Sequence, residues 1–389
     1  MPFAAALSEH PVAAEAVGEV IGEVLEAVGP RPDLAALFVG AAHTGAIDEI
    51  AGAVQAVLAP VALLGTTAGM VLGRDREVED RPAVALWAAR FPPGTPAAVP
   101  VVLEAEVVDG GVAVHGLDEL PSGRHTLVLV ADPFTFPVDG LVAELRSARP
   151  DVTIIGGLAS AARTPGGNRL VADGAVVDRG AVGVVLPPAA GVRAVVSQGC
   201  RPAGDPMIVT RATGNVVEEL AGRASLDRLQ QLVDASGPDE RELLAAGLQL
   251  GVVIDESKES FGRGDFVIRA VLGGDRSTGA LVVGDAVPVG TTVQFHVRDA
   301  DSADEDLRLA LADADAAQAA LVFTCNGRGM NLFGAPDHDA RLVAGRAPAC
   351  AGMSCAGEIG PVGGRTFLHG FTASIALFGE PGDRNRPLR

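Results

Sequence analysis

The stretch VALLGTTAGMVLG, residues 61–73, carries the pattern that decides the fold: an apolar run followed by small residues and glycine. The pattern returns in VTIIGGLASAA, residues 152–162, and in APACAGMSCAGEIG, residues 347–360. An apolar run of this length that ends in a glycine-rich loop indicates a buried strand. Because GTTAG and the closely similar GMSCAG share their small residues, duplication is favoured over coincidence.

Each of these stretches belongs to a longer unit with one order of parts: strand, polar loop, helix, strand with a glycine-rich end, and a later strand. The opening strands and polar loops are ALFVGAAHTG (36–45), LVLVADPFTF (127–136) and ALVFTCNGRG (320–329). The later strands are PAVALWAARF (82–91), AVGVVLP (181–187) and FTASIALFG (371–379). The sequence therefore predicts an α/β fold, with mixed sheets covered by helices and internal strand–helix–strand repeats.

We divide the chain into two related domains, residues 1–226 and residues 227–379. The first domain contains the clearest helix, residues 12–28, whose apolar side chains share one face and whose glutamates lie on the other. The last residues, 380–389, have the composition of a disordered tail.

Further elements are predicted between the second and third repeats. Strands are expected at residues 207–210, 266–272, 280–283 and 292–297. Two helices are expected within residues 216–234, and DASGPDE, residues 234–240, has the composition of a linker or exposed loop. SADE, residues 302–305, is a capping box that predicts the start of the next helix.

Composition and charge exclude several classes of function. Of the 389 residues, 48% are hydrophobic, so the chain can bury a large core and is not expected to be disordered. The net charge is -19 and the basic residues are scattered, so neither nucleic acid nor an anionic membrane surface is an expected partner. The uncharged segment 51–73 is about long enough to span a bilayer, but Pro60 ends its helix. With no secretory signal recognisable, a cytoplasmic location is expected.

The most informative polar loop is FTCNGRGMNLFG, residues 323–334, which follows the apolar run 319–322. It places a thiol, an amide and a guanidinium among glycines at the end of a predicted buried strand. The candidate residues of this loop are Cys325, Asn326, Gly327, Arg328 and Gly329. A cysteine in this position has three interpretations: a nucleophile, a metal ligand, or a small residue in a tight turn.

The chain resembles the FIST family, named for F-box and intracellular signal transduction. The motifs that carry the resemblance to its C-terminal domain are DFVIRAVLG (265–273), TTVQFHVRDA (291–300), CNGRG (325–329), GMSCAGEIGPV (352–362) and FLHGFTAS (367–374). VALLGTTAGMV (61–71) and TIIGGLAS (153–160) resemble its N-terminal domain. The resemblance implies a sensory module that binds a small ligand and signals to a protein partner. No F-box precedes these motifs, so the ubiquitin-ligase arrangement of some relatives is not implied.

One position departs from the family pattern. Met70 stands where the first repeat of the family usually carries an acidic residue, whereas Glu358 keeps the acidic residue in the last repeat. The resemblance therefore implies a polar role for the last glycine-rich loop rather than for the first.

Cys325 as a nucleophile would make the protein a thiol-dependent enzyme. Such a thiol needs a base, for which His369 and His338 lie in the same half of the sequence. The alternative is a buried structural thiol, which we prefer because no base stands at a fixed short spacing. No C-x-x-C pair is present among the four cysteines, so neither a disulfide framework nor a metal is expected. The spacing after Gly329 does not match a dinucleotide loop, and no cofactor is expected.

The glycine-rich loop of the third repeat supplies the second half of a predicted ligand pocket. Its polar residues are Ser354, Cys355 and Glu358. We expect Arg328 to bind the carboxylate of an amino acid or small carboxylate and Glu358 to bind an ammonium group. The alternative is that Arg328 forms a structural ion pair with Glu358 or Asp299.

Two further arginines, Arg269 and Arg298, lie on predicted strands and are either pocket walls or members of core salt bridges. A scaffold whose polar loops only hold the repeats together is the third class of function.

Overall fold

The computed structural model describes residues 2–108, 111–312 and 317–379. The α-helices within these ranges are α1 (Ala13–Val28), α2 (Ile47–Val57), α3 (Val138–Ala148), α4 (Ser225–Ala235), α5 (Pro238–Gly247), α6 (Ala300–Ala312), α7 (Met330–Phe333) and α8 (His338–Ala344). The strands of the first half are β1 (Phe3–Ser8), β2 (Leu34–Gly40), β3 (Leu63–Ala68), β4 (Met70–Gly73), β5 (Arg76–Glu79), β6 (Val84–Ala89), β7 (Val99–Val108), β8 (Gly111–His115), β9 (His125–Ala131), β10 (Val152–Leu158), β11 (Leu170–Ala172), β12 (Ala175–Val177) and β13 (Ala181–Leu186). The strands of the second half are β14 (Val192–Gln198), β15 (Cys200–Thr213), β16 (Val216–Leu220), β17 (Arg223–Ala224), β18 (Leu248–Val253), β19 (Phe266–Asp275), β20 (Ala280–Val283), β21 (Thr292–Arg298), β22 (Ala319–Cys325), β23 (Ala349–Cys355), β24 (Glu358–Val362), β25 (Arg365–His369) and β26 (Thr372–Phe378).

Three mixed sheets repeat one strand order, which confirms the predicted α/β fold and its internal repeats. The first sheet has the order β1-β6-β2-β3, the second β7-β13-β9-β10, and the third β14-β26-β22-β23. In each sheet the third and fourth strands of this order are parallel to each other. The second strand is antiparallel to the third. A helix joins each parallel pair, as parallel strands require: α2, α3 or α8.

Each sheet is completed by a hairpin that belongs to a different repeat. The hairpin β4–β5 of the first repeat joins the third sheet, because β4 pairs with β23. The hairpin β11–β12 of the second repeat joins the first sheet through β3, and β24–β25 of the third joins the second sheet through β10. The exchange is cyclic, so every repeat depends on another for its last strands.

The inner faces of these sheets share a central apolar core. Phe38, Val128 and Phe323 each come from a different sheet, and all three are fully buried. Trp87 lies in the same core, with its ring centre 4.8 Å from that of Phe378, and its Nε1 donates to the carbonyl of Ala349 at 2.9 Å. On the outer faces, separate apolar clusters pack α1 and α2 on the first sheet, α3 on the second, and α6 and α8 on the third.

The residues between β14 and α6 form a second compact unit with its own sheet. Its strand order is β15-β21-β18-β19-β20-β16-β17, and β15 also pairs with β16, so the sheet closes on itself. Val209, Leu250 and Phe295 are among the buried residues of its core. The unit comprises Gln198–Asp306 together with His369–Phe371.

The predicted strands of this region are present, with β15 and β19 longer than expected. The prediction of two helices within residues 216–234 is wrong in part, because Val216–Leu220 is a strand and only α4 is helical. The expected loop at 234–240 is interrupted by α5, which begins at Pro238, a residue whose fixed φ suits the first turn of a helix. Helix α6 is capped by Asp299, whose Oδ1 accepts from the backbone amides of Asp301 and Ser302. The capping box predicted at residues 302–305 therefore does not begin this helix.

The three repeats make up the first compact unit, which is discontinuous in sequence. It contains the residues up to Ser197, then Leu307–Leu368 and the described residues from Thr372. Residue 226 lies inside the second unit, so the predicted boundary at this residue divides the sequence but does not separate the two compact units. The predicted tail 380–389 lies outside the described residues. Among the helices that the structure describes, none has the length and apolar character needed to cross a membrane.

Candidate functional site

The loop after β22 turns tightly around the thiol of Cys325. The amide of Arg328 donates to the carbonyl of Cys325 at 2.9 Å, and the amide of Gly327 donates to the Cys325 Sγ at 3.3 Å. Gly329 has φ +57°, and a Cβ at this position would overlap the Oε1 of Glu79. Glycine is required here because a side chain would meet both a strained backbone conformation and a carboxylate.

Arg328 is held by an ion pair with Asp339 of α8. Its Nε donates to Oδ2 at 2.7 Å and its Nη2 donates to Oδ1 at 2.9 Å. Thr324 adds a third hydrogen bond, from Oγ1 to Oδ2 at 2.7 Å, and neither charged side chain is more than 1% exposed. The sequence interpretation named Glu358 or Asp299 as the ion-pair partner, whereas the structure shows Asp339.

The electrostatics of the two side chains depend on each other. Burial alone would lower the pKa of Arg328, but the charge and hydrogen bonds of Asp339 raise it above its ordinary value. Burial acts to raise the pKa of Asp339, but the charge of Arg328 and hydrogen bonds from Arg328, His338 and Thr324 hold it well below its usual range. Both groups are therefore ionised at neutral pH, because each charge stabilises the other.

Aromatic rings cover the outer side of this pair. The Nδ1 of His338 lies 3.0 Å from Oδ1 of Asp339, and the His338 ring stacks on Phe333 with centres 3.4 Å apart. The guanidinium carbon of Arg328 lies 5.2 Å from the centre of the Phe333 ring. Because Phe333 belongs to α7, this short helix forms part of the cover over Arg328.

Glu358, at the start of β24, is a second buried carboxyl group near Arg328. Its Oε2 accepts from the amide and the hydroxyl of Thr372 at 3.0 and 2.9 Å. Burial raises the pKa of Glu358 to about 8, against the hydrogen bonds from Thr372, the charge of Arg328 and the thiol of Cys325, all of which act to lower it. Its Oε1 has no hydrogen-bond partner among the residues that the structure describes.

Glu77 and Glu79 of β5 bring two carboxyl groups from the first repeat, and sequence reasoning missed both. The Oε1 of Glu79 accepts from the amide of Met330 at 3.0 Å, and the Oε1 of Glu77 accepts from the amide of Ala340 at 2.9 Å. Burial, together with the charge of Asp339, raises the pKa of Glu77 to about 7. Its Oε2 is buried without a hydrogen bond to any described residue. The exchanged hairpin places these residues, and no local signal in the sequence indicates that exchange.

We call Cys325, Arg328, Asp339, Glu358 and Glu77 the strand-end cluster. Three of its buried polar atoms have no hydrogen-bond partner in the described part of the chain: Nη1 of Arg328, Oε1 of Glu358 and Oε2 of Glu77. Most buried polar atoms in native proteins have a partner, so three such atoms in one cluster need a specific explanation. Nη1 of Arg328 is an unused donor, and Oε1 of Glu358 and Oε2 of Glu77 are unused acceptors.

The glycine-rich ends of β3, β10 and β23 meet beside one another, as their equivalence in the repeats suggests. The Oγ of Ser354 accepts from the amide of Met70 at 2.9 Å, and the Oγ of Ser160 accepts from the amide of Gly69 at 3.0 Å. The hydroxyl of Ser160 donates to the carbonyl of Ser354 at 2.6 Å. Ser354 therefore binds the backbone amide of Met70 from the first repeat and the hydroxyl of Ser160 from the second.

The thiols have different surroundings. Cys355 is fully buried against Gly157, and burial raises its pKa well above the ordinary value. Burial also raises the pKa of Cys350 to about 12. Cys325 is 7% exposed. After burial, the charge of Glu358 and then the charge of Cys325 also act to raise the pKa of the Cys355 thiol.

Other predicted site residues lie in the second unit and are described there. The Nε and Nη2 of Arg269 bind Oδ2 of Asp285, both at 3.0 Å. The guanidinium of Arg298 stacks over the ring of Phe371, 4.4 Å from its centre. His369, the histidine considered as a base for Cys325, also belongs to this unit and is 4% exposed.

Asn326, the remaining residue of the loop, is exposed, and its backbone N–H donates to the carbonyl of Cys355 at 3.0 Å. Within the described ranges, no group of three or more His, Cys, Asp or Glu side chains has a geometry that could hold a metal ion.

Comparison with known proteins identifies the family. The FIST N domain matches residues 33–223 and the FIST C domain matches residues 225–361. The chain belongs to the FIST family. FIST domains are associated with signal transduction. The boundary between the two matches falls at β17, inside the closed sheet of the second unit, so both FIST domains contribute strands to that sheet.

The relatives are mycobacterial proteins of similar length. An uncharacterized protein of Mycobacterium tuberculosis (strain H37Rv) is 46% identical over 362 residues, which cover 91% of this chain and 93% of the relative. An uncharacterized protein of Mycobacterium bovis is 44% identical over 377 residues, which cover 95% of this chain and 96% of the relative. The likeness therefore extends over both FIST domains.

Proposed function

We propose that this protein is a cytoplasmic signal-transduction module that binds a small amino acid or carboxylate at the strand-end cluster. The observation that carries the proposal is the set of three buried polar atoms without a partner among the described residues, on Arg328, Glu358 and Glu77. Leaving a buried polar atom unsatisfied costs about 1–3 kcal/mol. A ligand that binds all three would recover part of that cost.

Arg328 is suited to binding a carboxylate. Two of its nitrogens are bound by Asp339, which fixes the plane of the guanidinium and leaves Nη1 as the remaining donor. A donor held in a fixed direction loses little side-chain entropy when a ligand binds. Besides Asp339, the charges of Cys325 and Glu358 also act to raise the pKa of Arg328.

The carboxyl groups supply the second half of the recognition. Oε1 of Glu358 and Oε2 of Glu77 are available to accept from an ammonium group. A bound cation would favour the ionised form of both groups, whose pKa values burial raises to about 8 and about 7. A molecule with a carboxylate at one end and an ammonium at the other satisfies both sides of the cluster.

Ligand entry requires a movement, because Arg328 is only 2% exposed. The segment that covers it is α7, with Phe333 against the guanidinium and Met330 exposed to solvent. Displacement of α7 on binding would present a changed surface to a protein partner. Such a step couples a small ligand to a signal without any chemical reaction.

The proposal is tested by thermal shift with the twenty amino acids and a set of small carboxylates at neutral pH. At least one amino acid is expected to raise the melting temperature of the wild type, because a ligand that binds only the folded state stabilises it. Arg269→Lys, in the second unit, is the control and should keep the shift, whereas Arg328→Lys should lose it. If no compound shifts the folded wild type, or if Arg328→Lys responds like the control, the cluster is not the binding site.

A thiol-dependent enzyme is the second candidate, favoured by the carboxyl group of Glu358 next to Cys325. With a pKa of about 8, Glu358 is ionised in about a tenth of the molecules at pH 7, and that fraction can accept the thiol proton. Rapid alkylation of Cys325 by iodoacetamide at pH 7 would support it, whereas slow alkylation would leave Cys325 as a structural thiol.

A further inference from the structure

We propose that Cys325 and Cys355 are a redox pair that forms an intramolecular disulfide when the reduced protein meets a hydroperoxide. The proposal rests on the register of β22 and β23 and is independent of the ligand-binding function. All four cysteines, Cys200, Cys325, Cys350 and Cys355, are thiols in this structure.

The two cysteines lie directly opposite each other. β22 and β23 are parallel, and Cys325 is in register with Cys355 at the carboxyl ends of both strands. The amide of Asn326 continues the pairing by donating to the carbonyl of Cys355 at 3.0 Å. Neighbouring strands lie about 4.8 Å apart, within the Cα separation of about 4.4–6.8 Å that a disulfide spans. The bond therefore needs no large movement of the backbone.

Both side chains are on the same face of the third sheet. Side chains alternate between faces along a strand, so Cys325 shares its face with Phe323, and Cys355 shares its face with Met353. Phe323, Met353 and Cys355 all belong to the central core, which identifies this face as the inner one. The two thiols are close enough for Cys325 to influence the pKa of Cys355.

Cys350 provides an internal comparison on the same strand. It is five residues before Cys355, and therefore points to the opposite face, where it belongs to the apolar cluster under α6 and α8. Its Sγ donates to the carbonyl of Arg74 at 2.7 Å. Register and face together select Cys325, and not Cys350, as the partner of Cys355.

The surroundings divide the roles between the two thiols. Cys325 is 7% exposed and is followed by the exposed Asn326, whereas Cys355 is fully buried, so an oxidant from solvent meets Cys325 first. The amide of Gly327, which points at Sγ of Cys325 from 3.3 Å, stabilises a thiolate there. Glu358 acts on both thiols, and its ionised form, which increases as the pH rises towards its pKa of about 8, can accept a proton from a thiol.

The chemistry balances with hydrogen peroxide as the oxidant. The thiolate sulfur of Cys325 attacks one peroxide oxygen, the O–O bond breaks, and the leaving hydroxide takes a proton to become water. The sulfur of Cys355, after giving its proton to the ionised form of Glu358, attacks the sulfur of the resulting sulfenic acid. The S–O bond breaks, and the leaving hydroxide takes that proton back from Glu358 to become a second water. Two thiols are oxidised to one disulfide, and one peroxide is reduced to two waters.

The test is to treat the reduced full-length chain with one equivalent of hydrogen peroxide, denature it and count thiols. Two of the four thiols should be lost, and peptide mapping without reductant should find Cys325 linked to Cys355 within one chain. Cys350→Ser and Cys200→Ser should still form that link. Cys355→Ser should instead accumulate a sulfenic acid on Cys325, trapped as a dimedone adduct.

Retention of all four thiols by the wild type, a link that includes Cys350 or Cys200, or a link only between chains would each overturn the proposal. The cross-link map of the wild-type chain decides the matter alone if the Cys355 variant does not fold.

Discussion

The ends of β9 and β22 hold the same place in their repeats, and both bury a charged side chain, but only one of them is fully hydrogen-bonded. After β9, Oδ2 of Asp132 accepts from the amide of Phe134 at 3.2 Å and the hydroxyl of Thr135 at 2.7 Å, while Oδ1 accepts from Asn168 at 2.9 Å. After β22, Arg328 is bound by Asp339 but keeps Nη1 without a partner among the described residues.

The difference lies in where the partners originate. Asp132 is satisfied by residues of its own repeat, whereas the strand-end cluster combines the third repeat with Glu77 from the exchanged hairpin of the first. A buried polar group with complete hydrogen bonding stabilises a fold, and one with unfilled capacity is available to a ligand. The comparison teaches that the repeated strand end is saturated with hydrogen bonds in the second repeat but not in the third, where we propose that it binds a ligand.

The largest expected effect comes from breaking the buried pair. Asp339→Ala leaves the charge of Arg328 buried without its partner, and such a change costs about 3–5 kcal/mol. Urea unfolding at pH 7 measures the loss. Asp285→Ala, which removes the partner of Arg269 on a more exposed surface, is the control and should cost about 1 kcal/mol or less. Equal losses would mean that Arg328 gains no special stabilisation from Asp339.

The next effect is a dependence of stability on pH caused by Glu77. The pKa of this carboxyl group rises from 4.5 to about 7 on folding, so the folded state binds the proton more tightly. Its contribution to stability is therefore present below pH 4.5 and is lost as the pH rises through about 7. Glu77→Gln keeps an acceptor for the Ala340 amide and should stabilise the protein at pH 8 by about 2–3 kcal/mol.

Urea unfolding at pH 5 and pH 8 checks this prediction, with Glu26→Gln on the exposed face of α1 as the control. The wild type and the control should lose more stability between the two pH values than Glu77→Gln does. An unchanged pH dependence in Glu77→Gln would show that this carboxyl group titrates normally.

A smaller loss is expected at the structural strand end. Asp132→Asn exchanges an acceptor for a donor opposite the hydroxyl of Thr135 or the amide of Asn168, which should cost about 1–2 kcal/mol. Ligand affinity, measured by titration calorimetry, should stay at the wild-type value. A change in affinity would remove the distinction between the two strand ends.

The smallest effect is expected for Cys325→Ser. The thiol completes a tight turn, and its replacement by a smaller, more polar hydroxyl should cost about 1 kcal/mol, measured by urea unfolding. Folding and ligand binding should persist. If the protein turns over a substrate and this variant loses that turnover by orders of magnitude while it stays folded, Cys325 has a catalytic role instead.

Much of the repeat architecture could be predicted from the sequence, because each strand and its glycine-rich end are local patterns. Arg328 and Glu358 could be selected for the same reason: each follows directly on a recognisable strand or loop. The sequence predicts a helix at residues 216–220, whereas their pairing with β20 makes them a strand.

Glu77 and Asp339 could not be predicted as members of the cluster. Glu77 reaches it only because β4 pairs with β23, far away along the chain, and no local pattern reports a hairpin exchange between repeats. Asp339 lies eleven residues after Arg328, and their contact depends on how α8 packs on the third sheet. The two glutamates on either side of Val78 were the one signal that could have suggested a polar face on this strand.

The central claim is that Arg328 binds an anionic group of a small ligand, and titration calorimetry of the amino acid selected by thermal shift tests it most directly. Arg328→Lys keeps the positive charge but loses the planar fork, so binding should fall by at least about 100-fold while the variant remains folded at 25 °C. Asp132→Asn, titrated in parallel, should bind as the wild type does. Wild-type affinity in Arg328→Lys would contradict the claim, and unfolding of that variant at ordinary temperature would assign Arg328 to the structure alone.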